Sequence, residues 1–208
     1  MRKTKNANAY DTLKNLILQE KIDSGKLHST SALADLINMG RAPVVDAVKR
    51  LESEGFLSIL PHQGIMIREM TVQEMRQINE TRFVLETYIM GQIAPSFSAE
   101  DARELEKCIK EMEKCAEEEK YYDFIVLDHE MHTYLYDLCE NAYMIDIMKN
   151  LRDRIFTVGY KIVVRREGRM ITTVQEHKAI LKALEQRDPQ MAAEAMRIHL
   201  TNGWNLIF

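Results

Sequence analysis

Two short apolar stripes of helical period, pivoting on three residues, leave a chain few ways to fold. Between Ser29 and Gly55, Leu33, Leu36 and Ile37 recur at helical spacing, and Val44, Ala47, Val48 and Leu51 follow at i, i+3, i+4 and i+7. Ser29 stands where a hydroxyl can accept from an otherwise unbonded first-turn amide, and Pro43 falls in the first turn of the second segment, where a missing N–H does little harm. Ala34 is small where two helices must cross closely, and Asn38 tolerates the left-handed conformation of a tight turn. The spacing predicts a helix-turn-helix. After Gly55 come Phe-Leu-Ser-Ile-Leu60, a turn at Pro61-His-Gln-Gly64, and Ile-Met-Ile-Arg68, which reads as a β-hairpin wing. A preceding helix, about Ala9 to Glu20, carries Tyr10, Leu13, Leu16 and Ile17 on one side and completes a three-helix core.

Beyond Arg68 the alternation stops, Thr71-Val-Gln-Glu74 has the spacing of a capping box, and everything after it reads helical. The expected organisation is mostly α: a winged helix-turn-helix over 1–70, then an all-α bundle of six to seven helices over 71–208. Its helices divide at Pro95, Ser98, Tyr122, Asn141, Ile171 and Asp188-Pro189. The net charge of -4 is unevenly placed. Residues 1–70 hold 10 Lys and Arg against 8 Asp and Glu, residues 71–208 hold 18 against 24, so the front is mildly basic and permits contact with DNA. No run is apolar enough to span a bilayer, and Met1-Arg-Lys-Thr-Lys5 lacks the core of a secretory leader, so a cytoplasmic protein without membrane partners is expected. Cys108, Cys115 and Cys139 are an odd, widely spaced set and are expected to be reduced.

The chemistry of the rear segment rests on histidine. Asp128 and His132 lie four apart, hence on one helix face; His177 shares the stripe of Ile180, Leu181 and Leu184, and His199 that of Ala192, Ala195 and Met196. Three inward imidazoles and a carboxylate each need a partner, because burying such groups unpaired costs several kcal/mol. One divalent metal would satisfy all four, with zinc, nickel, manganese and iron each compatible. The other reading is of core histidines bonded to carbonyls and to Asp128. Neighbouring His129 is expected at the surface or behind the ligands.

The first third of the chain resembles the GntR family of bacterial transcription regulators, through Met39-Gly-Arg-Ala-Pro-Val-Val-Asp-Ala-Val48 and Leu51-Glu-Ser-Glu-Gly55. It departs at Gly40, Ala42 and Val45, where the family has serine, threonine and arginine. Asp128-His-Glu-Met-His132, Glu176-His177 and Met196-Arg-Ile-His199 resemble the ligand-sensing (FCD) domain of the FadR branch, in which an aspartate and three histidines hold a metal in many members. The resemblance implies the same role for Asp128, His132, His177 and His199. It also implies a homodimeric regulator on a two-fold operator, with repression relieved by a small carboxylate effector bound near the metal.

Arg82 is the candidate effector anchor, since it sits on the stripe of Met75, Ile78, Leu85 and Ile89; an ion pair with Glu86 is its alternative. Arg152, Arg154, Arg165 and Arg166 could also line a cavity. For the duplex, the candidates are Thr30, Arg41, Ala42, Val45 and Lys49 of the helix-turn-helix and His62, Gln63 and Gly64 of the wing. Val45 in place of arginine predicts a different operator, and a thymine methyl is a partner it could take. Two other function classes fit the residues: a metal-dependent hydrolase or lyase, for which no poised base is evident, and a regulator whose signal is the metal itself.

Overall fold

A computed structural model describes residues 5–207, with side chains from residue 8; residues 1–4, on which the reading of a missing leader partly rests, lie outside it. The chain separates into two compact units, residues 1–71 and 72–208.

The first unit holds α1 (Lys5–Leu18), β1 (Leu27–His28), α2 (Thr30–Leu36), α3 (Arg41–Ser53), β2 (Leu57–Leu60) and β3 (Gly64–Ile67). The Ser29 side chain accepts from the amide of Ala32 at 3.0 Å and starts α2. Asn38 takes φ 52°, so the pivot between α2 and α3 is made by an asparagine in the left-handed region. Leu13 of α1, Leu33 of α2, and Val44, Val48 and Leu51 of α3 close a core that Leu57, Ile65 and Ile67 complete from the sheet. The wing turns at Pro61 and His62, where Gln63 N–H donates to Leu60 O at 3.1 Å and His62 has φ 61°, the positive φ a type II turn needs after its proline.

The sheet departs from the expected hairpin, since it has three strands in the order β1-β3-β2, all antiparallel. β1 is two residues long, with Leu27 opposite Met66 and His28 opposite Ile65, too short for any alternation to announce it. Gly64 accommodates it. It has φ 137°, and a Cβ there would lie 2.9 Å from the His28 carbonyl oxygen.

The second unit contains α4 (Val72–Ile93), a 3-10 turn (Ala94–Ser96), α5 (Ala99–Glu117), α6 (Tyr121–Asp137), α7 (Ala142–Arg165), α8 (Arg169–Glu185) and α9 (Pro189–Trp204). Its boundaries have readable causes. Ser98 and Asp101 cap each other reciprocally at the start of α5, Asn141 accepts from Met144 N–H at α7, and Asp188 caps α9 just before Pro189 at N1. α4 packs along α9, α8 against α9 and α5, and α6 against α5 and α7. Ile89, Met90, Phe124, Leu135, Ile180, Leu184 and Met196 are fully buried between these helices. None of the described helices is long and apolar enough to cross a membrane.

A candidate metal centre beside a cavity

Asp128 and His132 of α6, His177 of α8 and His199 of α9 converge, each offering one ligand atom, and these atoms all lie within 4.8 Å of one another. The histidine rings stand 4.8, 5.2 and 5.5 Å apart by their centroids, and His177 Nε2 is 3.5 Å from Asp128 Oδ1. All three histidines are buried, while Asp128 is partly exposed.

The hydrogen bonding around the rings is asymmetric. His132 Nδ1 lies 2.8 Å from Glu86 Oε2, and His199 Nδ1 lies 2.8 Å from Glu176 Oε2. A carboxylate accepts only from N–H, so Nδ1 of both rings carries the proton and Nε2 presents its lone pair. His132 Nε2 and both nitrogens of His177 are buried without a hydrogen-bond partner. A neutral imidazole has one lone pair and one N–H, buried nitrogens without partners are rare in folded proteins, and a divalent cation can take the lone pair of each ring. Imidazole nitrogens with one carboxylate suit zinc, nickel, manganese or iron alike.

The two glutamates are themselves sustained by arginines. Arg82 donates to Glu86 Oε1 at 2.6 Å, and Arg169 grips Glu176 with two bonds, 2.8 and 2.9 Å long, joined by Asn202 at 2.8 Å. Burial raises the Glu86 carboxyl, but Arg82 and His132 outweigh it and hold the group well below the usual carboxylate range. Burial likewise raises Glu176, yet its bonds from His199 and Arg169 bring it down to about 2. For His177, burial is the leading cause of a pKa well below 6.5; for His199 burial also lowers it, opposed by Glu176. Both rings are therefore neutral near pH 7, the state in which imidazole coordinates metal.

A cavity of about 60 Å³ adjoins the cluster, its wall including Arg82, Asp128, Arg169, Thr173, His199 and Trp204. One water needs roughly 10–15 Å³ by this measure, so the space suits a molecule of only a few heavy atoms. Arg82 forms the ion pair with Glu86 that was the alternative for it, and it also stands on the cavity wall. The second arginine there is Arg169, rather than Arg152, Arg154, Arg165 or Arg166. Its position before the expected start of the helix at Ile171 concealed it; α8 begins at Arg169. Glu86 and Glu176 were legible only as neighbours of candidate residues. Of the two positions expected for His129, burial excludes the surface; its ring lies 6.4 Å from that of Phe156 and its Nε2 is unpartnered. It lies outside the four-residue cluster, and burial, then the charge of Arg152, lowers its pKa to about 4.

In the first unit, Arg41, Ala42, Val45 and Lys49 are exposed along α3, and His62 and Gln63 are exposed at the wing turn. Arg41 donates to Ser31 Oγ at 2.9 Å, while Thr30 is half-buried at the start of α2. Arg50 is turned away, stacked over the Tyr10 ring at 3.7 Å and bonded to Glu54. Gly64 is already explained by the approach of β1.

Residues 5–67 match the family of bacterial regulatory proteins named for GntR, and residues 77–202 match the FCD domain family. The chain is similar to an uncharacterised HTH-type transcriptional regulator, YdhC, of Bacillus subtilis, 22% identical with 93% of this chain and 86% of that protein covered. It is similar to the HTH-type transcriptional repressor RspR of Escherichia coli, 24% identical over 94% and 85%. The solved structure of E. coli McbR/YncC superposes with a TM-score of 0.80 at 17% identity, covering 99% of this chain and 97% of that one. A putative GntR regulator from Rhodococcus gives 0.78 at 15%, covering 97% and 96%.

Proposed function

Since the chain belongs to the GntR family and carries the FCD domain, it is a DNA-binding transcription regulator rather than an enzyme, and we propose how it is controlled. A homodimer places two winged helices on a two-fold operator, and a small organic acid bound beside a metal in the helical unit governs that grip. The observation that carries the reading is the set of buried, partnerless imidazole nitrogens of His132 and His177, gathered with Asp128 and His199 against the cavity.

Asp128, His132, His177 and His199 would hold the ion, which supplies a Lewis-acidic position for a carboxylate oxygen. Arg82 and Arg169 would face the acid from the cavity wall, where burial strengthens a charge-assisted hydrogen bond. On the DNA side, Arg41 and Lys49 would meet the duplex from α3, with Ala42 and Val45 against the bases. Thr30, His62, Gln63 and Gly64 would lie close to the backbone. Repression relieved by the acid is the favoured direction, as the relative RspR is named a repressor.

Mass spectrometry and elemental analysis of natively purified protein test the reading, alongside operator binding before and after removal of the small molecules. One equivalent of a transition metal, lost in His177→Ala, is expected. Metal-free wild-type protein unchanged in operator affinity by added metal or acid would overturn it. The metal as sole signal would appear as operator affinity following metal concentration without any acid.

A further inference from the structure

Two separate chains of bonds run from the cavity wall to the metal ligands: Arg82 to Glu86 to His132, and Arg169 to Glu176 to His199. They start on different helices, α4 and α8, and end on different ligands, yet each has the same order of guanidinium, carboxylate and imidazole. We propose that Arg82 and Arg169, whose hydrogen bonds go to Glu86 and Glu176 and not to the four ligand residues, are positioning residues that set metal affinity through these glutamates. The inference rests on the metal reading above and adds to it the residues that tune the site.

The physical chain is short. Arg82 holds the fully buried Glu86 at 2.6 Å, and Arg169 holds Glu176 with two bonds, so each carboxylate is fixed in place. Held in that place, it accepts a hydrogen bond from Nδ1–H of its histidine, which fixes the ring's orientation and tautomer and makes Nε2 a stronger donor to a metal. A weakened arginine contact lets the carboxylate turn away from its histidine, and the ring then loses its fixed lone pair. Neither nitrogen of His177 is hydrogen-bonded, and the carboxylate 3.5 Å from its Nε2 is that of Asp128, a member of the cluster itself, so two of the three imidazoles are under this control. The arginines are also the cations of the cavity wall, so an anion engaging them acts on the same glutamates, and acid and metal binding are linked reciprocally.

The test measures zinc affinity of the full chain by competition with a chromophoric chelator, together with the visible spectrum of the cobalt(II)-loaded form. Glu176→Gln and Glu86→Gln are expected to bind zinc about 10- to 100-fold more weakly. Arg169→Lys keeps the buried charge but loses the two-pronged grip, and is expected to weaken zinc binding several-fold and shift the cobalt spectrum. Arg197→Lys, exposed on α9 beside Glu194, serves as the control and leaves both unchanged. Melting of the metal-free proteins separates folding from binding. Should one variant fail to fold, the chain on the other helix supplies the same test through Arg82→Lys. Wild-type affinity and spectrum in folded Arg169→Lys and Glu176→Gln would overturn the inference while leaving a metal site standing. Wild-type protein that binds no zinc or cobalt would instead remove the underlying reading and this one with it.

Discussion

At the scale of single residues, Gly64 is the glycine with the least room for a side chain. Its φ of 137° and the 2.9 Å separation between a would-be Cβ and the His28 carbonyl oxygen leave no room for a side chain, and the obstacle is backbone. Gly64→Ala is expected to destabilise the winged unit by about 1–3 kcal/mol in chemical denaturation, the range for a strained backbone position. Ser29→Ala removes the bond to Ala32 N–H that starts α2 and should cost about 1 kcal/mol in the same assay. The buried imidazoles give a sign for pH. Those of His129, His177 and His199 have folded pKa values below the ordinary 6.5, so the unfolded chain binds more protons once pH falls through 6.5. The stability they contribute is complete above that value and is lost on acidification. Melting temperature of the metal-free protein should therefore be level above neutrality and decline below pH 6.5.

At the scale of elements, α3 presents Arg41, Ala42, Val45 and Lys49 outward while Val44, Ala47, Val48 and Leu51 stay buried. Arg41→Ala should weaken operator binding and make the salt dependence shallower by about one unit of slope, read by anisotropy titration at several salt concentrations. If Val45 meets a thymine methyl, Val45→Ala should reduce the preference for thymine over uracil at that position, because only the methyl distinguishes the two there and the shorter side chain covers less of it. Helices were legible where period and punctuation agreed: the spacing behind Ser98 and the pair Asp188-Pro189 mark the starts of α5 and α9. β1 was not, since two residues carry no period and its pairing with β3 is set by the tertiary approach at Gly64. The four cluster residues were readable because i, i+4 spacing and apolar stripes fix helix faces. Glu176 escaped because the 100° between neighbouring helix positions separates it from His177; it turns instead to His199 on α9. Arg169 escaped because a left-handed Gly168, with φ 72°, starts the helix two residues early.

At the scale of the whole chain, the helical unit buries unusually polar contents: Glu86, His129, His132, Arg169, Glu176, His177 and His199 are all among its buried residues. A structure organised around such groups depends on whatever satisfies the four partnerless nitrogens among them. Exhaustive chelation is expected to lower the melting temperature of the helical unit and restored metal to recover it, with the winged unit unaffected; calorimetry resolves the two transitions. The arrangement also has an electrical consequence. Arg82 and Arg169 pair with Glu86 and Glu176, so with the proposed doubly charged ion in place only Asp128 would be left against it, and the enclosure would keep one surplus positive charge. A guest with a single negative charge brings that enclosure to neutrality, whereas a doubly charged one overshoots it. Among acids of matched carbon number, the singly charged member should raise the melting temperature more.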